Sequence, residues 1–552
     1  MNVMKNKIWR LVVGLQFLIA GICPAAVIEK DICVYGGTAA GVTAAVQAAR
    51  LGKSVVLIEP GKHIGGMTSG GLGNTDVGKT ETIGGIAREF YQQIHHWYQN
   101  PEHWKFQTSE EYWQKADKKR LASDAMFVFE PHVAERLLNQ MLAKAGVSVV
   151  LGERLDLKGG VKKSGPQIVS IRMESGQVFA AKVFLDCSYE GDLMAKAGVS
   201  YTVGREANAQ YGEKINGVQT SEPPRRGDKP LDPFVRPGDP ASGVIVGLQP
   251  TVIGQEGDGD HRVQAYNYRL CLTQVPENRV AFDKPADYDE REFELLLRWI
   301  EVGGGKGLPA GTSPLPNAKT DSNKAGWVST DYMGHADDYP DADHATREKI
   351  IHDHIRYIKG LLWTAAYHPR VPADVRRKAA SWGYAKDEFG DTGHFPFQIY
   401  AREARRMLGE LVMTEHEVRS ARKVTDPVAL GSYGMDSHPT QLWVKDGALH
   451  ADTPPWTGVR PYGISYRALT PRVAQCSNLL VPVCLSASHS AYGSLRMEPV
   501  YMMLGQAAAT AAALAVDGKL AVQDVPYPTL RAQLLKDGQR LEAASKPRAP
   551  AE

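Results

Sequence analysis

The chain has 552 residues, enough for two to four domains or one large two-lobed enzyme, which excludes a peptide hormone or a single small binding module. Hydrophobic residues at 43%, charged residues at 23%, 54 Gly and 33 Pro describe a folded, loop-rich soluble protein and exclude chain-wide disorder. The 64 Lys and Arg against 62 Asp and Glu leave +2; three of the bases and no acid lie in the first 25 residues, so the remainder is close to neutral and nucleic-acid binding has no electrostatic footing.

Lys5, Lys7 and Arg10 precede an apolar run from Leu11 to Ile22 and the small residues Ala25 and Ala26, which predicts a signal peptide over 1–25. The run is shorter than the roughly 20 apolar residues of a membrane span, and no later segment reads as one. The expectation is a secreted or periplasmic mature protein with no integral membrane span. Six cysteines are scattered without a CxxC pair, which disfavours iron–sulfur and cysteine-zinc sites. Cys33 and Cys187 lie in strand-like runs and read as buried thiols; Cys476 and Cys484 could pair, though nothing here requires it.

The clearest pattern follows. Ile32 to Tyr35 reads as a buried strand, Gly36-Gly37-Thr38-Ala39-Ala40-Gly41 as a tight turn, Val42 to Leu51 as an Ala-rich helix, and Ser54 to Ile58 as a second strand ending in Glu59. A dinucleotide fold needs such a turn, letting a pyrophosphate meet backbone N–H groups at a helix start, and an acid about 20 residues on for the ribose. Thr38 stands where the usual fingerprint has its second glycine. A glycine run, Gly65-Gly66-Met67-Thr68-Ser69-Gly70-Gly71, comes directly after, where a nicotinamide dehydrogenase would continue with another strand–helix–strand unit.

This arrangement resembles the FAD-dependent oxidoreductases related to the fumarate-reductase and heterodisulfide-reductase flavoproteins, and in particular their secreted bacterial branch. The likeness continues in Val183 to Leu193, which contains Asp186 and Gly191, and in Asn478 to His489, which contains Ser488. It extends to Arg496 and to Gly505-Gln506-Ala507-Ala508, read as opening a helix whose N–H groups face the flavin. It implies FAD as cofactor, a Rossmann-like α/β domain from 27–210 and 425–525, an inserted α+β substrate region at 211–424, and a C-terminal helix and tail at 526–552. The first residues hold Trp9-Arg10 but no twin arginine, which implies the general secretory route, so the expectation is export unfolded with FAD acquired afterwards.

Between the flavin segments, 205–330 is Pro/Gly-rich with one alternating strand, Val263 to Thr273, while Ala345 to Thr364, Ala373 to Trp382 and Gln398 to Leu411 carry helical spacing. Val263 to Arg269, Ser329 to Tyr332, Tyr400 to Arg406 and Asp436 to Pro439 resemble the secreted branch as well. Of the candidate catalytic groups, His489 leads for proton transfer near the flavin, against a structural hydrogen bond. His438 and His394 lie in polar loops. Arg402, Arg405 and Arg406 read as lying on one helix, 402 and 406 on a shared face and 405 offset, for an anionic substrate or the flavin or for pairing with Glu403 or Glu410; Arg496 is assigned to flavin or substrate. His63 reads as a loop residue, not a flavin attachment point. His352-Asp353-His354 does not suit a metal, because residues two apart diverge on a helix, and no metal is expected.

The reading is an FAD enzyme that oxidises a small polar substrate, a sugar or polyol, by hydride transfer to flavin N5, with an electron acceptor that the sequence does not identify. Ten Trp and 22 Tyr are compatible with sugar stacking. A fumarate-like reductase, a polysaccharide lyase and a binding protein keeping only the fold are the alternatives.

Overall fold

The computed structural model describes residues 27–116, 124–220, 231–304, 312–323, 327–452, 454 and 456–543. The signal segment, Cys23, Pro223-Pro224, Pro230, Gly305 and the tail from Ser545 lie outside these residues.

The first unit is the one the sequence announces. Strand β1 (Ile28–Tyr35), helix α1 (Ala39–Arg50) and strand β2 (Val55–Glu59) form in order. β2 lies parallel to β1, with Ile32 opposite Val55 and Tyr35 opposite Ile58. α1 starts earlier than the apolar pattern suggests because Thr38 caps it, its Oγ1 accepting from Gly41 N at 3.3 Å and donating to Cys187 O at 2.8 Å. The fingerprint position occupied by threonine is therefore an N-cap, where a hydroxyl is favoured.

Strands β3 (Ser148–Leu151), β4 (Val161–Ser164), β5 (Gln167–Arg172) and β6 (Val178–Asp186) extend the sheet in the order β3-β2-β1-β6-β5-β4. The outer edge of β6 is shared: its first half pairs antiparallel with β5, and Phe184 and Leu185 pair parallel with Leu479 and Leu480 from far along the chain. Ile32 and Val34 face one apolar core and Cys33 and Tyr35 another, so β1 is buried on both faces as a parallel strand must be.

Helix Glu498–Gly518 lies against α1 with almost no space between the backbones. A Cβ on Gly505 would come within 2.2 Å of Ala40 O, and Thr43 Oγ1 donates to Met502 O at 2.7 Å. The Ala-rich composition of both helices is what lets them touch. Among the described residues this helix is long and apolar enough to cross a membrane; here its side chains are buried through Ala513 as a core helix.

A second sheet is antiparallel, with strands Thr312–Leu315, Lys319–Ser322, Leu270–Thr273, Gly383–Ala385 and Arg279–Val280 in that spatial order. Helix His344–Tyr367 and helix Ala373–Ala380 accompany it, and the larger core runs without a break from α1 to Leu270, Leu272 and Tyr384. Two sequence expectations fail here. Gln398 to Leu411 is not a helix: only Arg406–Met407 is regular, as a short strand on Tyr201–Thr202, because the backbone bonds outward, Tyr400 N to Asn267 O and Met407 N to Cys484 O. Arg402 and Arg406 therefore share no helix face. Val263 to Thr273 is a ladder only from Leu270; its first half makes single bridges, Tyr266 to Tyr332 and Asn267 to Tyr400. Cys33, Cys187, Cys271, Cys476 and Cys484 are all buried free thiols.

Candidate active site

A cavity of about 400 Å³ opens at the carboxyl ends of β1, β2 and β6, where ligands bind in open α/β sheets. Gly36, Thr38, Glu59, Gly66, Ser188 and Tyr189 are in its wall. Gly36 has φ +98°, and a Cβ on Gly41 would lie 1.9 Å from Gly36 O, so this turn tolerates neither side chain. Ala39 and Ala40 form the first turn of α1 behind it. Glu59 Oε2 accepts from Gly37 N at 2.7 Å and Oε1 from Gly61 N at 2.6 Å, while burial pushes its carboxyl up to about 7.

The second glycine turn lies against the first. Gly65 N donates to Gly37 O at 2.7 Å; Gly65 and Gly66 take φ of +108° and +55°, and Met67 N donates to Tyr189 OH at 2.8 Å. The same hydroxyl donates to Glu498 Oε1 at 2.7 Å, and Thr68 Oγ1 donates to Glu498 Oε2 at 2.8 Å. Burial raises Glu498 to about 7. His63 closes the rim, stacked on Phe397 at 4.1 Å and 3.0 Å from both Glu135 and Asp391.

Other expected cofactor residues have local duties. Asp186 accepts from Ser188 N, Ser188 Oγ and Met194 N, which staples the turn through Gly191 (φ +68°). Ser488 caps helix His489–Leu495 and donates to Glu213. The helix expected to open at Gly505 begins at Glu498, so the N–H groups of Gly505, Gln506 and Ala507 lie inside it. Gly505 is needed for the approach to α1, and Gln506 Oε1 accepts from Ile86 N to cap helix Gly85–Trp97.

The cavity fits FAD on its own features. The start of α1 would supply backbone donors for a pyrophosphate, Gly36 and Gly37 leave the approach bare, Glu59 at the end of β2 would take the ribose hydroxyls, and Gly65-Gly66 continue the path to Tyr189.

Beyond Ile399, the four segments that resemble the secreted branch converge. Asn267 to Tyr400 and Tyr266 to Tyr332 are backbone bridges, and His438 N donates to Gln264 Oε1. The result is a floor of buried arginines. Arg402 Nη2 is 2.9 Å from Asp331 Oδ1, Arg269 is bidentate with Asp321, and Arg496 donates through Nη1 to Tyr400 OH at 2.8 Å and approaches Asp436 Oδ2 at 3.4 Å. Both Arg402 and Arg496 lie over the Tyr400 ring. Burial drags the Arg402 guanidinium below its ordinary value despite Asp331. Asp331, opposed by burial, is still held low by Arg402 and His438.

His438 stands at the edge of this floor. Its Nδ1 is 2.7 Å from Asp331 Oδ2, while Nε2 is 3.8 Å from Asp436 Oδ2, too far for a hydrogen bond. One ring nitrogen is fixed by a carboxylate, the other has Asp436 near it beyond hydrogen-bond reach, and 13% of the side chain is exposed, the arrangement of an oriented base. His489 is different. It is 1% exposed, its Nδ1 meets Glu403 Oε2 at 2.8 Å and its Nε2 meets Ser437 Oγ at 2.9 Å, which occupies both nitrogens. Arg406 and His489 together hold Glu403 down to about 2 against the effect of burial. His489 thus fixes the residue next to His438. His394 sits in a separate turn, bonded to Glu388 O. Arg405 pairs with Asp192 and Asp341, and Arg406 with Glu206 and Glu403.

Several donors and acceptors in the cluster lack partners: Arg402 Nε, Arg496 Nε and Asn267 Oδ1 are buried and unbonded. Asp331, Asp436, Arg269 and Tyr400 were not singled out by the sequence reading. Their segments were, and the acids inside them were the only signal available.

Glu130, His132 and Glu388 are metal-ligand types close together among the described residues, but the buried Lys319 Nζ lies 2.8 Å from Glu130 and 2.7 Å from Glu388, filling the place of a cation.

Comparison with curated proteins returned no match. Among solved structures, L-proline dehydrogenase from P. horikoshii aligns at 16% identity and TM-score 0.24 over 33% of this chain and 59% of its own. L-amino acid deaminase from Proteus vulgaris aligns at 14% and 0.24 over 33% and 52%. CabE, an aromatic hydroxylase from angucycline biosynthesis, aligns at 14% and 0.24 over 37% and 40%. This chain therefore spans less than two thirds of each. The model of the FAD dependent oxidoreductase family, by contrast, matches residues 31–534, and the chain belongs to that family, with FAD as its cofactor.

Proposed function

We propose that the enzyme oxidises a hydroxyl-bearing, uncharged substrate, a sugar or polyol, to a carbonyl compound. Bound FAD supplies the hydride acceptor, at N5. His438 Nε2 takes the hydroxyl proton, and Asp331 fixes the ring and stabilises the charge that forms on it. Arg402, Arg496 and Asn267 position the remaining hydroxyls. The electrons then leave to an external acceptor.

The observation that carries this reading is the Asp331–His438 pair beside a charge-balanced floor. Arg269, Arg402 and Arg496 each have an aspartate, and Asp76 is a further acid 3.6 Å from Arg269. A dicarboxylate, as a fumarate-like reductase requires, needs surplus positive charge, since burying an unpaired anion is expensive. The unbonded atoms include donors and an acceptor, which is what a hydroxyl group complements. The leader-like first residues support a place of action outside the cytoplasm.

The test is anaerobic mixing of FAD-loaded protein with neutral sugars, polyols and C4 dicarboxylates while following the visible flavin band. Bleaching by a neutral hydroxyl compound is expected. Reoxidation of the reduced enzyme by a dicarboxylate, with no sugar or polyol bleaching it, would overturn the assignment.

A further inference from the structure

Trp456 is 63% exposed, more than any other large apolar side chain among the described residues. A single exposed apolar residue needs no explanation by itself; the backbone beneath this one does. A Cβ on Gly434 would lie 2.5 Å from the indole Cε2, 2.6 Å from Cζ2 and 2.7 Å from Nε1, and one on Gly458 would lie 3.3 Å from Cη2 and Cζ3. Two glycines therefore let the ring rest on main chain. Met435 N donates to Thr457 O at 2.9 Å, which clips the two segments together.

The Gly434 segment is also the one that carries the proposed base. It continues through Asp436 to His438 and is pinned from helix His489–Leu495: Ser494 Oγ donates to Tyr433 O at 2.5 Å, a Cβ on Gly493 would meet Asp436 O at 2.8 Å, and His489 bonds Ser437. Gly434 is two residues from Asp436, at most about 7 Å along an extended chain. An exposed indole thus rests on the segment that leads, two residues on, to Asp436 and, four residues on, to His438.

We propose that Trp456 is a stacking platform for a second pyranose ring, so that the substrate is the end unit of a neutral oligosaccharide. The proposal rests on the sugar reading of the site above. The electron-rich indole face meets the polarised C–H bonds of a sugar ring without needing charge, and the charge-balanced floor of the neighbouring site, with unbonded donors and an acceptor, selects the same neutral chemistry.

The experiment uses FAD-loaded wild type, Trp456→Ala and Trp456→Phe with neutral aldohexoses and their linear di- to tetrasaccharides. Calorimetry gives affinity, and anaerobic flavin bleaching gives kcat/KM. At least one oligosaccharide should bind about five- to tenfold more tightly than its monomer. Trp456→Ala should erase that advantage and Trp456→Phe should keep part of it, with the oligomer-to-monomer ratio of kcat/KM falling in parallel. Length-independent binding by wild type, an advantage that survives Trp456→Ala, or no sugar binding at all overturns the platform. Tryptophan-dependent oligosaccharide binding without bleaching supports the platform and removes the oxidation reading, whereas bleaching that ignores both length and Trp456 does the reverse.

Discussion

The cofactor cavity and the arginine floor adjoin each other but are built on opposite plans. The nucleotide-facing wall of the cavity is made mostly of backbone within residues 36–67, two glycine turns bonded to each other, a capped helix start and one acid at a strand end, while side chains from Arg154 to Ile399 close the other walls. The floor is made of side chains from segments spread between Gln264 and Arg496, its arginines held by aspartates far away in sequence. A backbone site tolerates change in most side chains and none at its glycines. A side-chain site is the reverse, because removing one buried partner strands the other.

The sharpest way to break this contrast is at His438. His438→Ala should slow flavin reduction by about 10²–10⁴-fold while FAD content stays at wild type, and Asp331→Asn should fall in the same direction by misorienting the ring. Stopped-flow bleaching with the most active substrate reads the rate, and the flavin-to-protein absorbance ratio reads occupancy. Lost flavin in His438→Ala would merge the two regions into one.

The complementary change is Glu59→Ala, which should weaken FAD at about pH 8, where this carboxyl is ionised, by about 1.5–3 kcal/mol, or roughly ten- to 150-fold, through loss of a charged acceptor. The FAD that remains should be reduced at close to the wild-type rate. Gly41→Ala should empty the site more severely, because its Cβ has no room beside Gly36 O. Equilibrium dialysis of both variants against FAD settles the matter; equal affinity in Glu59→Ala would free Glu59 of its assigned role.

How far each region could be read from sequence follows from the same contrast. The strand, turn, helix, strand and terminal acid need only neighbours within about 25 residues, so periodicity and glycines disclosed them nearly to the residue. The same local logic misled at Gly505, where a glycine that allows helix α1 to approach looks like one that opens a helix toward a phosphate. It misled again at Gln398 to Leu411, whose helical spacing yields to arginines bonded across the molecule. His489 attracted notice by its place after a strand, but no local pattern shows that both its nitrogens are taken, or that His438 keeps one free.

That distinction predicts a different phenotype for His489. Its loss leaves Glu403 buried with Arg406 and Gln264 but without its imidazole partner, a defect of about 3 kcal/mol in stability. Reduction should slow by only about tenfold, through a looser Ser437–His438 segment. Denaturation and bleaching of His489→Ala and His438→Ala side by side check this: the first should lose more stability and less rate. The opposite ranking would return His489 to the catalytic role that the sequence suggested.

An effect that shows only as pH rises sits on the seam between the regions, at Glu498. Its carboxyl is buried against Thr68 and Tyr189, two residues after Arg496, and ionises near pH 7 in place of its ordinary 4.5. Between those values the native state holds a proton that the unfolded state has released, so this residue lowers stability as pH rises. The penalty is absent below about pH 4.5 and complete above about pH 7, where a difference of this size corresponds to about 3 kcal/mol. Glu59 shifts in the same direction and adds to the slope. Glu498→Gln keeps an acceptor for one hydroxyl and offers a donor to the other, since both hydroxyls can rotate, but it carries no charge to bury. With FAD held at the same saturating level, the variant should match wild type near pH 5 and exceed it in denaturant midpoint near pH 8. A variant destabilised equally at both values would mean that Glu498 is ionised throughout and is stabilised by something other than the two hydroxyls it touches.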